Sequence, residues 1–235
     1  MNNRFLEQVV DLVKQLDEQQ NENINKAADL IVEAFENEGI VQVFGSGHSY
    51  AAAIEMFERA GGFVATKLIK DPAMGIYETF EGIGKFMMRK VDVRPEDVVV
   101  IISYSGRNPQ VVEIAQAVKE RGAKIIAVTC LEVSKASTPR HSNGKMLYDF
   151  ADVCLDMMGE HGDAAMYVGD LPVPICPMSS VAAASLIQAM QLTVVEKMVA
   201  KGVEPDLRVS ANVDGGGLAR SMELSKKYAH RIFRI

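Results

Sequence analysis

The chain has 235 residues, of which 48% are hydrophobic, 24% charged and 6% aromatic. Such globular composition can bury a core without disulfides and excludes a disordered or fibrous chain. A balance of 25 Lys and Arg against 31 Asp and Glu gives a net charge of -6, which argues against general nucleic-acid binding but leaves room for one focused anion site.

The first elements are helical. Phe5, Leu6, Val9, Val10, Leu12, Val13 and Leu16 recur at near-helical spacing, as do Ile24, Ala27, Ala28, Ile31, Val32 and Phe35. Two leading helices follow, broken near Gln19–Asn23 and stopped by Gly39, with one partly continuous helix as the alternative. They pack on their own core or reach across to another subunit.

After Gly39 the pattern changes. Ile40–Phe44 is an apolar run that ends in Gly-Ser-Gly-His-Ser, and Tyr50–Ala60 reads as a helix. Phe63–Ile69 reads as a second strand, and Asp71–Arg94 is interrupted by glycines around helical fragments such as Ile76–Phe80. Val98–Ile102 is unbroken β-branched sequence, the mark of a buried parallel strand. A polar loop, Ser103–Asn108, leads to a helix over Pro109–Arg121, then strands over Lys124–Thr129 and Asp152–Met157. Lys135–Asp149 reads as a functional or capping loop, and Ser179–Ala200 as a long helix. Leu171–Val195 carries no charge over 25 residues, but Pro172, Pro174, Pro177 and its serines and glutamines make it the approach to a buried helix, not a membrane span. The tail after Asp206 holds Gly215–Gly217 and a basic end with Lys226, Lys227, His230, Arg231 and Arg234.

Strands that alternate with helices predict an α/β fold with a parallel sheet, right-handed crossovers and helices on both faces. The expected division is 1–38 for the leading helices, 39–205 for the core domain and 206–235 for the tail. Cys130, Cys154 and Cys176 form no CxxC pair, so a reducing cytoplasm is expected and a disulfide framework is not. The N-terminus meets acidic residues before any signal-peptide core forms.

Both polar loops, Gly45–Ser49 and Ser103–Asn108, follow a strand and open a helix, and ligands of parallel sheets sit beyond strand carboxyl ends. A helix start offers unpaired amides, glycine allows close approach, and serine hydroxyls add donors for an anion. The first loop lacks the Gly-Lys-Ser/Thr of a Walker A loop and the third glycine of a dinucleotide fingerprint. Ordinary capping is the competing reading, with Asn108-Pro109 fitting a cap and first helical residue. Together the loops favour a small phosphorylated ligand bound through Ser46, Gly47, Ser49, Ser103, Tyr104, Ser105, Gly106 and Asn108. Ser179 and Ser180, before the long helix, form a third such place.

The succession strand–GSGHS–helix, strand–ISYSGRNPQVVEIA–helix and KIIAVT resembles the SIS, or sugar isomerase, family over roughly Ile40–Ala200. The leading helices resemble those of its phosphoheptose isomerase branch. The resemblance implies a five-stranded parallel sheet of flavodoxin-like order in a three-layer α/β/α sandwich, and a homo-oligomer, dimer or tetramer. It also implies that Ser49, Ser103, Ser105 and Asn108 hold a sugar phosphate. Aligned on Ser49, Glu55 and Arg59 stand where that branch has a metal-site His and Glu, Gln188 matches its Gln, and Glu196 stands at a second His. The same zinc site is therefore not expected, and no metal or cofactor is.

Sugar-phosphate isomerisation needs a base that carries a proton between carbons, usually with an acid for ring opening. Glu55 and Glu58 share a helical face with each other, and Gln188 and Glu196 share the last helix. A site of Glu55, Gln188 and Glu196 is one reading; a Gln188 that only bonds a neighbouring helix is the other. His48, inside the first loop, is a further proton-transfer candidate. His161 reads as a surface loop residue or a loop-borne catalytic imidazole, and Glu78 and Glu81 as surface residues or acid/base groups. The expected function is a cytoplasmic phosphosugar isomerase, with an amino-sugar-phosphate lyase and a non-catalytic phosphosugar sensor as alternatives, and neither nucleic acid nor membrane as a partner.

Overall fold

Strands of unbroken β-branched sequence need apolar cover on both faces. A computed structural model describes residues 3–214 and 217–233, and Gly215, Gly216 and Arg234 of the expected tail fall outside them. The first element is one helix of 33 residues, α1 (Arg4–Glu36), where two were expected. The polar run does not break it, because Gln20 turns inward and its side-chain oxygen accepts the Asp156 amide at 2.9 Å. Leu12, Leu16, Ile24, Ala27, Ala28 and Ile31 complete the buried face.

Then come β1 (Val41–Gly45), α2 (Ser49–Ile54), β2 (Thr66–Leu68), α3 (Ile83–Met88), β3 (Val98–Ile102), α4 (Pro109–Glu120), β4 (Lys124–Thr129), α5 (Leu131–Ala136) and β5 (Val153–Asp156). The five strands form a parallel sheet in the order β2-β1-β3-β4-β5. That is the expected flavodoxin-like order. α1, α2 and the long helix α6 (Ser179–Ala200) cover one face, and α3 and α4 the other. No helix among the described residues is long and apolar enough to cross a membrane.

Other elements also differ from expectation. α2 stops at Ile54 rather than near Ala60, and Glu58 follows with φ +53° before the turn at Gly61. β2 is shorter than expected, since Phe63 pairs antiparallel with Leu207. Between β5 and α6 lies an antiparallel pair, β6 (Ala164–Met166) and β7 (Ile175–Pro177). Most of the tail is a helix, α7 (Gly217–Ile232), tied to the body. Arg231, 2% exposed, donates from Nη2 to both carboxylate oxygens of fully buried Asp97 at 2.9 and 2.7 Å.

Candidate functional site

Strand pairing positions the site. Gly45 at the end of β1 lies opposite Ile102 at the end of β3, so the two polar loops leave one sheet edge side by side. A cleft of about 600 Å³ opens between them. Its wall takes Ser46, Gly47, His48 and Ser49 from the first loop, Ser103, Tyr104, Ser105 and Asn108 from the second, and Ser179 and Ser180 from α6. Of the expected ligand-binding residues only Gly106 is outside the wall. It holds φ +61°, donates its amide to Ser103 Oγ at 3.2 Å, and accepts the Leu147 amide at 2.8 Å.

Close approach of backbone explains the first loop. A Cβ on Gly45 would stand 2.4 Å from the Ser49 carbonyl oxygen, so only glycine permits this tight strand-to-helix turn. A Cβ on Gly75 would stand 3.0 Å from Gly47 Cα, which shows how closely the segment after β2 backs the loop. Asp71 ties the two together: it accepts Ser46 Oγ at 2.8 Å and the Gly75 amide at 2.9 Å. Burial pushes the Asp71 carboxyl up, but the hydrogen bonds from Ser46, Ala73 and Gly75 help to outweigh this and hold it below the usual carboxylate range. The Gly47 and His48 amides find no acceptor among the described residues. They are the orphan donors that a helix start offers to an anion.

In the second loop Asn108 occupies the cap position of α4, with Pro109 first in the helix. Its side chain makes no capping bond; its oxygen accepts Arg140 Nη1 at 2.8 Å instead. Capping therefore does not account for the Asn108 side chain. At α6 the cap residue is Met178, and Asp163 serves the helix start from outside, accepting the Ser179 amide at 2.8 Å and Ser179 Oγ at 2.6 Å.

The wall also holds Glu78, Arg107, Arg140, His161 and Asp163. The Glu78 carbonyl accepts the Gln110 amide at 3.2 Å, which fixes its backbone to the start of α4. Burial pushes its carboxyl above the usual range, with the Arg140 charge opposing and the Asp71 charge assisting. Arg107 Nε is buried without an acceptor among the described residues. Arg107 sits in the middle of the Ser-rich loop and Arg140 in the Lys135–Asp149 segment, so the sequence marked both neighbourhoods without assigning these side chains.

The other expected catalytic residues lie outside this cleft's wall. Glu55 accepts Arg59 Nη1 at 2.7 Å, and Gln188 Nε2 approaches its second oxygen at 3.4 Å. Glu55 and Gln188 thus meet, which both readings of Gln188 allow, and Gln188 is exposed. Glu58 is exposed and 4.0 Å from Arg208, and Glu196 is exposed further along α6. Among the described residues no group of three His, Cys, Asp or Glu side chains is placed to hold a metal ion.

Residues 4–130 match the SIS domain. The chain belongs to the SIS-domain family. Within it, the chain is 43% identical over 231 residues to a UPF0309 protein of Listeria monocytogenes, covering 98% of each chain. A UPF0309 protein of Geobacillus kaustophilus is 34% identical over 241 residues, with 99% of this chain and 96% of that one covered. Among solved structures, phosphoheptose isomerase from Neisseria gonorrhoeae superposes with a TM-score of 0.54 and 20% identity, over 81% of this chain and 95% of that one. The sugar isomerase domain of an RpiR transcription factor from Sphaerobacter thermophilus gives 0.52 and 16% identity over 97% of both. At these identities the structural likeness is one of fold.

Proposed function

We propose that this SIS-domain protein binds a phosphosugar in the cleft at the β1–β3 edge and interconverts its aldose and ketose forms. The observation that carries the reading is the convergence of two donor-rich loops on one cleft that has a raised-pKa carboxyl, Glu78, in its wall. Ser49, Ser103, Ser105, Asn108 and the free amides of Gly47 and His48 grip the phosphate, with Ser46, Tyr104, Ser179 and Ser180 around the sugar. Glu78 moves the proton between the two carbons, a step that carboxylates perform well when burial strengthens them as bases. His48 serves ring opening, and Arg107 and Arg140 favour the negative charge that develops on the sugar oxygen. Glu55, Glu58, Gln188 and Glu196 take no step in this reading, since they lie outside the cleft.

A panel of aldose and ketose phosphates tests it, with thermal shift for binding and NMR for turnover. Stabilisation and interconversion of at least one member are expected. Stabilisation without turnover would turn the reading into a sensor, loss of a substituent into a lyase, and neither response would remove the phosphosugar altogether. Ser105→Ala is expected to weaken phosphosugar binding by about 1–3 kcal/mol, the cost of stranding one buried hydrogen-bond partner. Unchanged affinity would take Ser105 out of the site.

The same reading takes the protein as a homo-oligomer. Leu6, Val10 and Val13 on α1 are 60%, 51% and 41% exposed, an apolar stripe of the kind that subunits cover. Light scattering is expected to give a dimer or tetramer; a mass of 25.7 kDa would refute it. The three free cysteines fit a reducing cytoplasm.

A further inference from the structure

A second cleft, of about 630 Å³, lies beside the edge strand β2, between α3 and the end of α7. It shares no residue with the first. Its lining includes buried Leu68 and Ile69, Met87 and the exposed Phe86 and Phe233, while Lys67, Lys70, Lys90 and Arg208 bring four cations against the single carboxylate of Glu58. On a chain of net charge -6 this is a local reversal of sign.

Lys67 is the unusual member. It is 7% exposed, and its Nζ is buried with no acceptor among the described residues. Arg208 Nε is likewise buried without an acceptor among the described residues, while its Nη2 lies 4.0 Å from Glu58. The carboxylates nearest in charge to Lys67 are already engaged: Asp97 by Arg231 and the Arg94 amide, Asp92 by Arg94. A buried ammonium without a counter-ion is costly, and proteins carry such groups where something else neutralises them. Burial holds the Lys67 amine below its ordinary value.

We infer that this cleft is a second ligand site, for a small organic anion with an apolar body, such as an aromatic or aliphatic carboxylate or sulfonate. The volume suits one such molecule. The anionic group meets Lys67 and Arg208, Lys70 and Lys90 ring the mouth, and the apolar body covers Leu68, Phe86 and Phe233. The inference does not depend on the phosphosugar reading. The two sites are nonetheless mechanically close, because Pro72 lines the second cleft while its neighbour Asp71 holds Ser46 in the first.

The probe is 8-anilinonaphthalene-1-sulfonate, whose fluorescence rises in an apolar site, titrated into the native full-length chain. Saturable binding at one site per chain is expected, undisturbed by inorganic phosphate. Lys67→Met is expected to weaken it by about tenfold, the scale of one lost charged contact. The exposed pair Lys70→Glu and Lys90→Glu, which leaves the core untouched, is expected to weaken it as well. Absence of saturable binding, or wild-type affinity in both variants, overturns the inference. So does a fall in molar mass for Phe86→Glu with no dye binding by the wild type, which would assign the cleft to a second copy of this chain.

Discussion

Glu78→Gln is expected to cut phosphosugar turnover by about 10²–10⁴-fold, the usual worth of a positioned acid/base group. Ligand-induced stabilisation should persist in the variant. The amide keeps the shape of the side chain, and the backbone carbonyl still takes the Gln110 amide, so the cleft is not rebuilt. The pH profile gives a second reading of the same group. A base must be ionised to act, and burial moves the Glu78 titration upward. kcat/KM should therefore fall as pH drops, with its acid limb above the ordinary glutamate value of 4.5. In Glu78→Gln that limb should vanish from the residual activity. Turnover within a few-fold of wild type would move proton transfer to another group of the cleft wall, His48 being the first to examine.

Arg231→Ala should have the largest effect on stability, about 3–5 kcal/mol, because it leaves Asp97 as a buried charge without its counter-ion. Asp97 also accepts the amides of Ile40 and Arg94 and the Gln42 side chain. It therefore joins α7 to the starts of β1 and β3, and the loss reaches the middle of the sheet. Arg231→Lys keeps the charge but not the planar fork and should recover only part of the loss. Urea unfolding measures both, and a loss below about 1 kcal/mol in the alanine variant would show the pair to be dispensable.

The sheet core was legible because its signals are local. Val98–Ile102 and Lys124–Thr129 are strands over the residues expected, and Ser179–Ala200 is the helix expected. What escaped depends on contacts between distant residues. Gln20 looks like a helix breaker until Asp156 is beside it. α7 buries Ser221, Ser225 and Arg231 rather than an apolar stripe, so its sequence reads as a solvated basic end. The site divides in the same way. The serine loops announce themselves by composition, whereas Arg140 and His161 reach the cleft from segments whose course no short pattern encodes. Glu78 was visible only as one acid among several, since its burial is a property of the assembled wall.

The Arg231–Asp97 contact joins residues 134 positions apart. During synthesis Asp97 leaves the ribosome long before its counter-charge has been translated. The emerging chain can collapse its sheet and α4, yet it must carry a carboxylate without its cation. Domains commonly fold as they are made; here Asp97 can already take the Ile40 and Arg94 amides before Arg231 is made, and it gains its counter-charge only when α7 is added.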